Sequence, residues 1–472
     1  MEYAKLILAL LIALLIFCYA AWHVNKPLPE GLSHYGPAHP TADVTFLGDS
    51  SWVDENGERQ TQQEIFDAVF AMIAEARSLV VLDMFLFNAF QGPEAETHRL
   101  LSSELTDSLI AQKVAYPDIQ ILVISDEINN VYGGLPSPHF QQMREAGIDV
   151  VMTKLPALRD SNPAYSWLWR IFIRPFGNSR GKLLKNPFGE GRVSVRSYLA
   201  LANFKANHRK TIVADSGETY TAIVMSANPH DGSSAHRNAA IRFTGPAALD
   251  VLVSENAVLK LSGHSPVEIP VIAAPASDIT VQVVTERKIK VSVLIELSKV
   301  GPNDTVNLMM FYLSDQEVID ALIEARQRGA DIRILLDPAK DAFGHKKNGV
   351  PNRPAADILH TGDISIRWAK LKGEQSHAKL LHIEFSSGET VIINGSANYT
   401  RRNLNNLNLE TDVIVKGPSG ADVFKDASAY FEAAWNNEPG KTYSLPYEKY
   451  DDDTWSHRAQ YHLMEWSGIS TF

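Results

Sequence analysis

The sequence predicts an α/β protein of two similar halves, each built round a mixed sheet and related to the other by a pseudo-twofold, and three observations carry that prediction. A helix followed by an apolar strand recurs in both parts of the chain. A set of polar residues is duplicated: His208-x-Lys210 returns 169 positions on as His377-x-Lys379, and Ser226-Ala227-Asn228 returns 170 positions on as Ser396-Ala397-Asn398. A proline-rich stretch, residues 265–277 (SPVEIPVIAAPAS), separates the copies. The implied organisation is a transmembrane anchor over 1–27, a stalk over 28–45, a first half over 46–264, a linker over 265–280, a second half over 281–437 and a C-terminal extension over 438–472.

Residues 6–22 (LILALLIALLIFCYAAW) carry no charge over 17 positions, just enough to span a bilayer as one helix. A cleaved signal peptide is the competing reading, with Cys18-Tyr19-Ala20 as its site. Bulky Tyr19 and Trp22 and a weak positive flank favour a retained anchor. Lys5 and the α-amine outside one end give a slight positive-inside bias, which predicts a single-pass protein of the inner (cell) membrane with its body on the extracytoplasmic side. Residues 25–44 follow, with Pro27, Pro29, Pro37 and Pro40 breaking regular structure, and read as a stalk.

The first half opens with helical spacing over residues 60–76, where Ile65, Val69, Met72 and Ile73 share a face, followed by a buried strand over 79–87. The second half repeats this as residues 291–300 and then 306–313. Further on, residues 140–152 (FQQMREAGIDVVM) and 315–336 (DQEVIDALIEARQRGADIRILL) each place a glycine, Gly147 or Gly329, between helix and strand, where a helix C-cap is expected.

Composition sets the remaining bounds. Apolar residues make up 45% and charged residues 21%, ordinary values for a folded chain. A net charge of −11 argues against a nucleic-acid binder, whose affinity comes from cations that neutralise phosphates. One cysteine, Cys18, excludes an internal disulfide and a Cys-based zinc site. No cofactor and no metal is expected, because no ligand cluster stands beside the duplicated residues; oligomeric state is silent.

Each His-x-Lys lies on a predicted β-hairpin, residues 207–225 with a turn at Ser216-Gly217 and residues 377–393 with a turn at Ser387-Gly388. Residues two apart on a strand face the same way, so each histidine and lysine share a face and the returning strand brings an asparagine beside them. One His-x-Lys is weak evidence. Two copies sharing a following acid (Asp215, Glu384), the Ser-Ala-Asn triplet, and then Asn238 or Asn408 in register are a specific signal.

These residues resemble the paired HKD motifs of the phospholipase D superfamily, and NHRKTIVAD and NLNLE look most like bacterial cardiolipin synthases. The similarity runs over about residues 46–437. The resemblance implies a phosphatidyltransferase acting on a phospholipid at a membrane: His208 is the nucleophile, His377 the general acid and then base, and Lys210, Lys379, Asn228 and Asn398 hold the phosphoryl oxygens. Asp215, Ser226, Glu384 and Ser396 are supporting residues. A hydrolase that uses water, and a nucleic-acid phosphodiesterase, are the alternatives. The chain departs from the pattern in Glu384 for the usual Asp and Met225 for a glycine. The carboxylate expected to orient a histidine is Glu410 in the second half but Ala240 in the first. On that reading Glu410 backs His377, and His208 lacks a partner.

Residues 165–192 interleave Tyr165, Trp167, Trp169, Phe172, Phe176 and Phe188 with Arg170, Arg174, Arg180, Lys182, Lys185 and Arg192, against a single acid, Glu190. Trp167, Trp169, Arg170, Arg174, Lys182 and Lys185 are the expected lipid contacts. His230 and His236, after the first triplet, read as solvated loop residues or as lining the acceptor side.

Overall fold

The computed structural model describes residues 2–92, 97–179, 181–339, 341–342, 345–452 and 454–467; Arg180, in the basic aromatic segment, lies outside them. Each half carries the same run of seven strands. In the first half the order across the sheet is Val44–Asp54, Asn238–Thr244, Thr219–Met225, Lys210–Ser216, Leu79–Met84, Gln120–Ser125, Asp149–Met152. In the second it is Thr280–Thr285, Thr411–Pro418, Glu389–Gly395, Lys379–Glu384, Thr305–Met310, Asp331–Leu336, Ser365–Ala369. The last three strands of each run are parallel and the rest antiparallel, so both sheets are mixed, as the sequence predicts.

The two sheets share one core. Val213, Val224 and Ile241 from the first half and Val283, Ile392, Val413 and Val415 from the second belong to the same buried cluster. The helix Pro246–Leu261 packs on strands of both halves, and Asp422–Asn436, at the end of the second half, packs on Val44–Asp54 of the first. At about 1.5–3 kcal/mol for each fully buried aliphatic side chain, this shared core binds the halves far more strongly than a linker does. Gly147 and Gly329 end their helices at φ 80° and 100°, donating to the carbonyls of Arg144 and Arg326.

Two expectations need correction. The helix expected over 60–76 spans only Ile65–Glu75, because Asp49 Oδ1 accepts from the N–H groups of Glu64 at 2.9 Å and Ile65 at 3.2 Å, closing the helix start. Residues 59–62 are instead a strand, Arg59–Gln62, paired with Val44–Asp54. The stalk does not stand free: His39–Pro40 pairs with Thr280–Thr285, Leu32 is buried, and Ser33 N–H donates to Glu286 at 2.6 Å.

The N-terminal helix Glu2–Asn25 is the one helix among the described residues long and apolar enough to cross a membrane, and none of its residues is buried. Its end is fastened to the first half. Asp160 N–H donates to His23 O at 3.0 Å, and Arg159 Nε to Lys26 O at 2.7 Å. At the other terminus the helix Trp455–Ser467 buries Tyr461, whose hydroxyl donates to Ser314 O at 3.0 Å, while Trp455 and Trp466 stay exposed.

Candidate active site

The hairpins form as expected, Lys210–Ser216 with Thr219–Met225 and Lys379–Glu384 with Glu389–Gly395, each histidine lying two residues before its strand. Asp215 braces the first by accepting from the N–H groups of Arg77, Ser78 and Leu79 at 2.7–3.2 Å. Burial pushes this carboxyl up, but the three donors outweigh it and hold the group below its ordinary value. Glu384 does not repeat that role. In the second half Asp304 accepts from Ser386 N–H and Gly301 N–H, both at 2.8 Å, so the brace comes from the neighbouring loop.

The strand ends meet across the pseudo-twofold. His208 N–H donates to Leu409 O at 2.9 Å and His377 N–H to Arg237 O at 2.8 Å, so each histidine is pinned to a segment of the other half. Those segments carry the side chains that orient the rings. His208 Nδ1 lies 3.0 Å from Glu410, and His377 Nδ1 lies 3.2 Å from Asn238 Oδ1. The triplet serines hold these partners: Ser226 Oγ donates to Asn238 Oδ1 at 3.0 Å, and Ser396 Oγ donates to Glu410. Glu410 therefore backs His208, not His377, and His208 does not lack a partner. Strand register explains the error. Ser226 N–H bonds to Ala239 O and Ser396 N–H to Thr411 O, which makes Asn238, not Ala240, the counterpart of Glu410.

Both lysines are buried. Lys210 Nζ and Lys379 Nζ donate to the carbonyls of His208 and His377 at 2.6 Å, and lie 5.2 Å from the rings of Phe85 and Phe311. Asn228 Oδ1 accepts from Leu86 N–H at 3.1 Å, and Asn398 is buried likewise. Burial, then Lys210 and Lys379, hold His208 well below the ordinary imidazole value. Burial, then Lys379 and His236, do the same to His377. Burial pushes Lys210 down to about 7 and Glu410 up to about 8. Two lysine amines and two imidazoles thus share a desolvated site, and an anion that met both lysines would restore the ammonium charge and raise the imidazoles.

Several residues of this site were not singled out from sequence. Asp126 accepts from Asn207 N–H at 2.7 Å and Asp337 from Ser376 N–H at 2.9 Å, placing the residue before each histidine. Their signal was available, since each aspartate ends an apolar parallel strand (ILVISD, ILLD). Phe85 and Phe311 likewise follow matching strands, packing 4.7 Å from His208 and 4.9 Å from His377. His230 and His236 are buried rather than solvated; the His236 ring lies 5.8 Å from that of His377, while His230 bonds Ser233 and Phe90 O.

The expected lipid contacts divide. Arg174, Lys182 and Lys185 are exposed, and Trp167 and Trp169 are partly buried. Arg170 is not at the surface: its side chain is 9% exposed and pairs with buried Asp160. The apolar exposure of this segment comes instead from Leu168, Ile171, Phe172, Phe176 and Leu183. Among the described residues no group of His, Cys, Asp and Glu could hold a metal.

Two α/β halves that each deliver a histidine and a lysine to one buried site define a phospholipase D-like fold. Residues 293–435 match the family model described as cardiolipin synthase, PLD-like domain. The phosphatidylserine synthase of Haemophilus influenzae Rd KW20 shares the fold over 94% of this chain and 96% of its own, with a TM-score of 0.53 and 9% identity. Nuc from Salmonella typhimurium, a phospholipase D family member, aligns with 36% of this chain and 99% of its own at 18% identity and a TM-score of 0.28. No curated protein sequence matches the chain. Residues 293–435 are thus similar to a phospholipase D-like domain, and the whole chain shares the fold of that phosphatidylserine synthase.

Proposed function

We propose that the protein is a membrane-anchored phosphatidyltransferase of the cardiolipin synthase type, single-pass in the inner (cell) membrane with its body on the extracytoplasmic side. The observation that carries the reading is the crossed pair of buried His-x-Lys sites in a body fastened to an apolar N-terminal helix. A phosphodiester reacts slowly and carries negative charge, so its cleavage needs a nucleophile, a proton donor for the departing alcohol and fixed positive charge.

With the Nδ1 proton of His208 directed at Glu410, the Nε2 lone pair is free to attack phosphorus. Lys210, Lys379, Asn228 and Asn398 hold the phosphoryl oxygens, and protonated His377 donates to the leaving alkoxide. The phosphatidyl group is then bonded to His208. In the second step neutral His377 takes the proton of an incoming lipid or polyol hydroxyl, whose oxygen displaces His208. The donor anion itself prepares the site, because its charge favours the protonated ring against the burial and the lysine repulsion that hold both imidazoles low.

The test is to incubate the purified protein with labelled phosphatidylglycerol and analyse the lipids. Cardiolipin with released glycerol is expected. Phosphatidic acid in its place would make the protein a hydrolase, and no lipid product at all would overturn the reading.

A further inference from the structure

The N-terminal helix is fastened to one half only. Arg159 and Asp160, which hold its end, belong to the first half, whereas the histidine site lies between the halves. A body tethered at one point is free to tilt, so a second membrane contact belongs on the second half. The C-terminal helix Trp455–Ser467 stands there, beside the histidine site. Its Tyr461 lies in the buried cluster of Phe311, Tyr312, Ala339 and Val350, and the Phe311 ring packs 4.9 Å from that of His377. One turn on, Glu465 accepts from Ser314 Oγ at 2.6 Å and stands within electrostatic reach of Arg402, which also acts on His208.

The body supports this helix thinly. Tyr461 is the one buried residue among its thirteen, and the other ties are polar: Arg458 to Asp357 at 2.7 Å, Gln460 to Asn348 at 2.9 Å, and Glu465 to Ser314. A helix this short is marginal in water unless an apolar face is buried. The face opposite Tyr461 is apolar and bare. Trp455, Ala459, Leu463 and Trp466 follow one another at helical spacing and form one stripe, and Trp455, Leu463 and Trp466 are 79%, 60% and 82% exposed. Tryptophan and leucine on one side of a helix suit the headgroup boundary of a bilayer.

The surroundings point to the same occupant. Arg402, facing Glu465, stands 5.1 Å over the ring of Phe204. The next residue, Lys205, pairs at 2.8 Å with Asp160, whose N–H bonds His23 O in the apolar N-terminal helix. Asn178, in the basic aromatic segment, donates to Tyr132 O at 2.7 Å, and Tyr132 is in turn within electrostatic reach of Arg402. The foot of the N-terminal helix, the segment with exposed Phe172 and Phe176, and the tryptophan stripe are therefore gathered round one edge of the histidine site.

We propose that the C-terminal helix docks through Trp455, Leu463 and Trp466 into the surface of a phospholipid bilayer, so that the second half is held against the membrane as the first is held by the N-terminal helix. The proposal rests on the reading above only in placing the body at a membrane. Seated between body and bilayer, the helix buries both of its apolar faces. Two contacts, one on each half, then fix the tilt of the body and keep the edge of the histidine site at the level of the lipid headgroups.

The test uses the full chain carrying Cys18→Ser and Ala459→Cys, spin-labelled at residue 459 and reconstituted in vesicles of phosphatidylglycerol and phosphatidylcholine. The label should collide severalfold more often with oxygen, relative to a water-soluble nickel chelate, than a label in water does. Adding Trp455→Ser with Trp466→Ser should abolish that excess with an unchanged melting temperature, and Leu463→Glu should act in the same direction. Without the label, the paired tryptophan variant should raise the apparent KM for vesicle phosphatidylglycerol severalfold and leave cleavage of a small water-soluble phosphodiester unaltered. A collision ratio typical of water in the chain with its stripe intact would overturn the proposal, as would an unchanged KM. Dipolar broadening between labels that persists when the protein is diluted in lipid would overturn it as well, making a second copy of the chain the partner. Failure of the proposed reaction is read separately, as absence of turnover in vesicles where the label is immersed.

Discussion

The two halves agree in topology, in the placement of lysine over phenylalanine and in the serine that holds each ring's partner, yet they differ in the partner itself. His208 faces a carboxylate, Glu410, and His377 faces a carboxamide, Asn238. Ionised beside lysines that a bound anion keeps charged, a carboxylate behind an imidazole would strengthen it as a base and stabilise positive charge on the ring, which suits the nitrogen proposed to bond phosphorus. A carboxamide fixes orientation without holding charge, which suits a ring that must give up and regain a proton. On the proposed mechanism, one differing side chain in each half would divide the labour of a symmetric frame.

The sharpest way to break this comparison is to remove each ring in turn. His208→Ala and His377→Ala should each lower turnover of phosphatidylglycerol by about 10⁴-fold or more, as groups acting as a unit do. A small phosphodiester with an aryl leaving group needs no proton donor. It should therefore restore much of the first, bond-forming burst in His377→Ala and none in His208→Ala; the reverse pattern would exchange the roles.

Next in size is the exchange of partners. Glu410→Gln should lower kcat by about 10²–10⁴-fold, in line with loss of a carboxylate behind a catalytic histidine. Asn238→Asp should cost less than tenfold and act mainly on pH dependence. His377 is held low by burial, Lys379 and His236, and a new carboxylate at Nδ1 favours its protonated form. Its pKa then rises, so the alkaline limb of kcat/KM that requires protonated His377 should move to higher pH. A limb that stays in place, measured across the full profile, would show that Asn238 does not act through His377.

The smallest effects concern the braces. Asp215→Asn and Asp304→Asn should each destabilise the fold by about 1–3 kcal/mol at neutral pH, while Glu384→Ala should stay within about 0.5 kcal/mol. Both aspartates are held below their ordinary value despite burial, by backbone N–H donors. Their contribution is therefore present above the unfolded pKa of about 3.9 and is lost as pH falls through the lower folded value. Denaturation with urea at neutral and at strongly acidic pH should show the gap to wild type closing in acid.

The sequence by itself determined the duplication, the mixed α/β halves and the repeated polar residues that the fold brings together, because hydrophobic periodicity and repeated polar residues are local properties that a linear reading retains. Leu79–Met84 and Thr305–Met310 are legible as buried strands, and His208, Lys210, His377 and Lys379 as one repeated group, without any coordinates. What it could not determine was which half serves which histidine. The spacing from triplet asparagine to partner is ten residues in Asn228 to Asn238 and twelve in Asn398 to Glu410, the second loop carrying the turn Arg401–Leu404 where the first carries the shorter Asp231–Ser233. A constant offset therefore paired Glu410 with Ala240. Only the tertiary structure decided that each partner reaches across to the opposite half, because that crossing depends on hydrogen bonds between residues about 140 and 200 positions apart and on the packing of two sheets round a shared core.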